Sequence, residues 1–331
     1  MGQLRCVACA QSTVDNDNST APAADVLAPI APREAIDEWT QLIRQTGTLL
    51  RNSAPDAAWL VDLKAAAVRL RALAGRDLDA ALYLLLQAAA TDIERYSAHH
   101  SMLCAVICEV CARSFAWPDD EVDSVVHAAL TMNLSMSLLQ DALAQQVGPL
   151  SDPQREQVGA HAERSAELLT AAGVDAPLWI EVVRLHHARL PAADPSAAQR
   201  LAQLLQRIDV YTAKLSLRTS RSAVSPAIAA RDACTDATGK PDAVGSTILR
   251  LLGLYPPGCF VQMASGDVGV VVRRGAKAHT PVAAALRRLD GGLYMPPSRR
   301  DTSSAQHAIQ HGVTSSDVNV HVDHARALGC A

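Results

Sequence analysis

"MLCAVICEVCA", residues 102–112, decides the reading of the fold. Its cysteines, Cys104, Cys108 and Cys111, stand at i, i+4 and i+7, which puts three small apolar side chains on one face of an α-helix. A stripe of that period belongs in the core between helices, and the same period recurs along most of the chain. The 331 residues are 49% apolar and only 3% aromatic, enough to bury a sizeable core. A mainly α protein built as a helical bundle is expected.

Outward from this stretch, the apolar pattern starts at Leu78 and predicts one long helical run to about Ser114. "WPDDEV" (117–122) follows, and its proline and acidic first turn announce a helix over about 119–144. Ser151-Asp152-Pro153-Gln154 reads as a helix cap with proline at the start, and Gly173 ends that helix. Further helices are expected over 177–190, 197–216, from Pro226 to about Thr235, and from Asp242 to Gly253. Upstream, two helical segments lie between Arg33 and Gly75, split around "NSAPDAAW" (52–59), where Ser53 or Asp56 suits the cap.

After "LYPPG" the period changes. "CFVQMASGDVGVVVRRG" (259–275) reads as two short strands with Ser265-Gly266-Asp267 in the turn, and Val318–Val322 alternates like a third. The expected organisation is a flexible leader over 1–32, an N-terminal helical segment over 33–77, a helical domain over 78–257 and a small β-containing region over 258–331.

Thirty basic against thirty-four acidic residues give a formal charge of −4, without the basic excess that non-specific nucleic-acid binding needs. The pairs Arg273–Arg274, Arg287–Arg288 and Arg299–Arg300 read as surface charge. The eight cysteines do not form a secreted disulfide framework, and Cys6-Val-Ala-Cys9 has zinc-ligand spacing but no second ligand pair nearby. Neither "ALYLLLQAAA" (81–90) nor residues 102–112 reach the ~20 apolar residues of a membrane span, so a cytoplasmic protein is expected.

The candidate chemistry lies in histidines. An all-helical protein gathers metal ligands from several facing helices, because no single helix surface surrounds an ion. His100, His161, the adjacent pair His186–His187 in "RLHHAR", and Asp209 fall on or near four different expected helices. Neutral imidazoles with one carboxylate suit a divalent ion that activates water against a phosphoester.

The order of these features, from about Tyr96 to Val272, resembles the HD-GYP branch of the HD-domain metal phosphohydrolases, whose members hydrolyse cyclic di-GMP. "YSAHHS" places His100 where such proteins open a long helix with a histidine. "AHAERSAELL" resembles the helix that carries His161, and "RLHHAR" resembles the double-histidine segment with His186 and His187. "RIDVYTAKLSLRTSRSAVSPAIA" (207–229) is similar to the segment whose aspartate would be Asp209, and "LYPPGCFVQMASGDVGVVV" to the segment after many such cores. The resemblance implies an HD-domain-like helical bundle whose metal candidates are these four histidines and Asp209.

The resemblance breaks at the family's namesake "HDIGK". In its place stand Met132-Asn133-Leu134-Ser135-Met136, so a thioether replaces imidazole, a neutral amide replaces the bridging carboxylate, and Met136 replaces lysine. Tyr96 stands where many members have glutamate, and "HExxDGxGYP" is absent after His187. The implication is a degenerate signalling or partner-binding module that has lost dinuclear phosphodiesterase activity, holding one divalent ion at most. Its expected partners are a protein in signalling or a cyclic dinucleotide, with no nucleic acid and no membrane. The alternative is an active phosphohydrolase working through a reduced metal site.

Overall fold

The computed structural model describes residues 30–189, 194–216, 225–235 and 240–331. The expected leader up to residue 29, with Cys6 and Cys9, and loop positions 190–193 lie outside the described residues.

The chain opens with α1 (Pro32–Leu50) and α2 (Ala57–Arg76), and Asp56 caps the second by accepting from Trp59 N at 2.9 Å. The single run expected from Leu78 to Ser114 is two helices, α3 (Leu78–Thr91) and α4 (Tyr96–Ser114), separated by a 3₁₀ turn over Ile93–Arg95. Asp92, at the break, takes a 2.7 Å hydrogen bond from Arg95 Nη1, a local pairing that competes with helical geometry. α4 is the centre of the bundle. It is buried from Tyr96 through Cys108, as a helix surrounded by others must be, and it packs on α1 and α3. Cys104, Cys108 and Cys111 are all fully buried.

The helix expected over 119–144 also divides, into α5 (Asp119–Thr131) and α6 (Ser137–Gln145), with a 3₁₀ turn over Leu134–Met136. Asp119–Gln145 together is long and apolar enough to cross a membrane by composition, but 67% of its apolar window is buried within the fold. Next come α7 (Asp152–Ala171), with the full Ser151/Gln154 capping box, and α8 (Pro177–Leu185). α9 (Ala197–Leu215) is capped the same way by Ser196 and Gln199, and α10 (Pro226–Cys234) and α11 (Ala243–Leu252) pack behind it.

α11 approaches α10 so closely that a Cβ on Gly245 would lie 1.8 Å from the Cys234 carbonyl oxygen. Gly245→Ala is therefore expected to destabilise the fold by about 3 kcal/mol, because backbone rather than a flexible side chain would have to move. Urea denaturation checks this, and an unchanged midpoint would contradict the packing.

The last third forms one antiparallel sheet from β1 (Phe260–Met263), β2 (Val268–Arg273), β3 (Val282–Arg287), β4 (Leu293–Asp301) and β5 (Ile309–Val313), in the order β4-β3-β2-β1-β5. β1 and β2 are the expected hairpin, with Phe260 opposite Val270. Residues of β2 alternate between two cores. Val268, Val270 and Val272 face the helices, while Val271 joins Val261, Met263, Ala283, Ala285 and Tyr255 in a smaller cluster on the other face.

The expected strand at Val318–Val322 is not one: α12 (Ser315–Val318) and an irregular segment occupy it, followed by α13 (His324–Leu328). β5 has already taken the edge beside β1, and Val318 and Val322 are buried against the helical core instead. The sheet is joined to α3 by Gln87 Nε2 donating to Gly258 O at 2.5 Å and by the Arg274–Asp79 ion pair at 2.5 Å. Of the double arginines, Arg274, Arg287 and Arg300 are engaged internally, Arg287 by Val318 O at 3.2 Å and Arg300 by Asp267 at 3.1 Å.

Candidate metal centre

Four helices supply the centre. α8 is held against α5 by Trp179, whose buried indole Nε1 donates to Thr131 Oγ1 at 2.8 Å. It ends at Leu185, earlier than the expected residue 190, so His186 and His187 lie in the closing turn. Residues adjacent on a helix splay by about 100°; here both rings nevertheless lie against His161 of α7. The ring centroids of His186 and His187 are 5.1 and 5.0 Å from that of His161. The donor atoms of His161, His186 and His187 all fall within 4.8 Å of one another, with His161 and His186 buried and His187 exposed.

The protons of this triad follow from its partners. His161 Nδ1 lies 2.5 Å from Val158 O, and His186 Nδ1 lies 2.6 Å from Val183 O. A carbonyl oxygen only accepts, so each Nδ1 carries the hydrogen and each Nε2 presents a bare lone pair. Those two Nε2 atoms face each other at 3.2 Å. An added proton would reconcile them, but burial works against one: it pushes His161 below its ordinary value, and burial together with His187 pushes His186 down to about 3. A metal cation reconciles them at neutral pH. Imidazole nitrogens bound about 2.0 Å from a tetrahedral zinc lie about 3.3 Å apart, close to the spacing found. The residues present therefore fit a divalent ion.

His100 of α4 and Asp209 of α9 form the neighbouring half. His100 Nε2 lies 2.8 Å from Asp209 Oδ1, and the imidazole stacks on Tyr96 with centroids 5.6 Å apart. Burial alone would raise the Asp209 carboxyl, but the His100 hydrogen bond and the charges of His100, His186 and His187 bring it down to about 2. Burial opposes a charge on His100 as well. Cys104, Tyr96 and Asp209 outweigh that and hold it well above its ordinary value. The charges of the triad thus reach the Asp209 carboxyl, while its donor oxygen groups with His100 and Cys104. The sequence reads Cys104 as core packing, yet its Sγ is 3.9 Å from His100 Nε2 and 3.2 Å from Thr212 Oγ1. The i, i+4 spacing of His100 and Cys104 was the signal for it in the sequence.

Met132 is fully buried in the apolar core and Asn133 almost so. The 3₁₀ turn that follows is tied to α7 beside the triad: Ser135 Oγ donates to His161 O at 2.9 Å, and Ser135 N donates to Ser165 Oγ at 3.1 Å. Met136, at the end of the turn, is buried too.

The buried histidines set a pH dependence. In the unfolded chain they titrate near 6.5, whereas His186 in the fold titrates near 3 and burial also lowers His161 and His127. Between those values the unfolded chain binds more protons. The stability these groups contribute is present above about pH 6.5 and lost as pH falls toward 3. His186 alone accounts for about 2 kcal/mol between pH 6.5 and 5. The His100–Asp209 pair runs otherwise. The Asp209 contribution is lost only as pH falls through about 2, and that of His100 only as pH rises through its raised value. The urea midpoint of the chelated protein is expected to drop between pH 7 and 5, and a flat midpoint would count against neutral buried imidazoles.

Over 191 residues the chain is 26% identical to a cyclic di-GMP phosphodiesterase of Pseudomonas aeruginosa; the match covers 56% of this chain and 46% of that protein. The chain is a distant relative of it, in line with an HD-GYP-like origin. It spans less than half the length of that protein. No family model matches the chain, and no solved structure does.

Proposed function

We propose that this chain is a cytoplasmic cyclic-dinucleotide signalling protein that holds a divalent ion on His161, His186 and His187 and has lost the dinuclear phosphodiesterase activity that the family resemblance implies. The observation that carries the reading is the 3.2 Å approach of the His161 and His186 Nε2 lone pairs, each fixed by an Nδ1–H···O=C bond behind it. Hydrogen bonds of that kind set the tautomer of metal-ligating histidines. His187, exposed, marks the side from which an ion and a ligand reach the centre.

A bound divalent ion would polarise a phosphoester oxygen and acidify water. Asp209, ionised beside the triad, supplies the negative charge that offsets a cation, and His100 keeps that carboxylate oriented. Loss of hydrolysis follows from residues 132 and 133. Buried methionine and a neutral amide offer a hard second ion neither imidazole nor carboxylate. The retained role is recognition of a cyclic dinucleotide or a protein partner in signalling.

Elemental analysis of protein purified without chelator, together with cyclic di-GMP binding and hydrolysis assays under added manganese, iron and zinc, tests this. The expected result is bound zinc-type metal and ligand binding without turnover. Turnover under any of these metals would overturn the loss of activity, and metal-free protein that takes up no zinc would overturn the triad.

A further inference from the structure

We propose that α2 is the contact face of a homodimer, laid antiparallel against α2 of a second copy of this chain. The proposal stands on the N-terminal helices and is independent of the histidines. α2 carries two apolar faces. Trp59, Leu63, Ala67, Leu70 and Leu73 are buried where it packs on α1, α3, α4 and α5. On the opposite face Ala58, Val61, Ala65, Val68 and Ala72 are exposed, Val61 by 66% and Val68 by 67%. A helix with one packed side keeps its other side polar, so a second apolar face calls for a second partner. The steps along that face are three, four, three and four residues, the 3.5-residue period of a seam between two helices.

The residues of this face select a second copy as its occupant. With the two helices antiparallel about a two-fold axis near Ala66, Val61 falls opposite Ala72 and Ala65 opposite Val68, so each central layer sets a larger side chain against a small one. The flanking charges favour the same arrangement. It brings Asp62 of each copy to Arg69 of the other, at two symmetric places. Both residues line a groove of about 450 Å³ between α1 and α2, and Asp62 is exposed. Within the chain Arg69 meets one carboxylate, Glu38 at 2.6 Å, and otherwise the neutral amides of Gln41 and Gln45. On the other flank Arg71 approaches Lys64 of the second copy, but two carboxylates already hold it, Glu109 at 2.9 Å and Asp123 at 2.5 Å. A parallel pair instead sets Lys64 against Arg69 and Arg71 against Arg76, like charges throughout. The seam is short and its side chains small, so its affinity belongs in the micromolar range.

Sedimentation of the full chain across the micromolar range tests the interface. A monomer–dimer equilibrium that moves to dimer over that range is expected. Val68→Lys places a charge in the seam at an exposed position; it should stay monomeric at every concentration and melt like wild type where both are monomers. Asp62→Arg should weaken the dimer about tenfold, the loss of two exposed ion pairs. In a parallel pair Asp62 lies beside Ala57 of the second copy, and the same variant would change little. A wild-type chain that is monomeric throughout overturns the proposal and leaves the face to a different protein. A dimer untouched by Val68→Lys overturns it too, since the contact then lies elsewhere, and a dimer untouched by Asp62→Arg overturns the antiparallel register. Should Val68→Lys fail to fold, Val61→Lys, in the adjoining layer, carries the same expectation.

Discussion

His186→Ala is expected to weaken zinc binding at the triad by at least about 100-fold. Disturbing even the hydrogen-bonded neighbours of a metal ligand typically costs 10- to 100-fold in affinity, about the least that removing a ligand should cost. His186 is also the most tightly held member of the triad, fully buried, with Val183 O fixing its tautomer and His161 Nε2 at 3.2 Å. The effect should extend to stability. An ion present at 100 times its dissociation constant stabilises the fold that binds it by about 2.7 kcal/mol. Thermal melts of wild type with zinc against chelator should show that gain, and the variant should show almost none of it. An equal zinc-induced shift in both proteins would mean that the ion sits elsewhere.

The paired change Met132→His with Asn133→Asp is expected to act in opposite directions with and without metal. Met132 is fully buried as part of the apolar core, and Asn133 is almost fully buried. An imidazole there without a partner leaves buried polar atoms unsatisfied, at a cost of about 1–3 kcal/mol, and the new carboxylate adds desolvation of a charge. With manganese present the same two groups become ligands. The melting temperature should then recover, and elemental analysis should count at least one more ion per chain than in wild type. A lower melting temperature with no ion gained would show that the 131–136 turn no longer aims these positions at the histidines. Hydrolysis of cyclic di-GMP by the paired variant would add that the rest of the pocket is intact.

Much of the helical fold was legible residue by residue, because the features that start helices are local. Asp56, Ser151 with Gln154, and the proline that opens α10 lie within a turn of the ends they mark, and the structure places those ends where the sequence does. The β1–β2 hairpin was legible for the same reason, since its turn residues and alternating valines are contiguous. β3 was not. "VAAALR" is rich in alanine, which strands disfavour, and it becomes a strand because β2 and β4 offer it ladders on both sides.

In the centre itself, the identity of the candidate donors, His100, His161, His186, His187 and Asp209, was written in the sequence, as was the presence of Met132 and Asn133 where the resemblance implies histidine and aspartate. The tertiary structure decided how the donors divide. His161, His186 and His187 meet in one group, and His100 meets Asp209 in another that also takes in Cys104. It decided too that the apolar run past Thr131 breaks, since the bonds from Ser135 to Ser165 and to the His161 carbonyl join residues 26 to 30 positions apart. Periodicity reports which face of an element is apolar, a property of neighbours a few residues away. Whether two lone pairs meet head to head depends on the rotation of α7 against the end of α8, which is set by packing across the whole core.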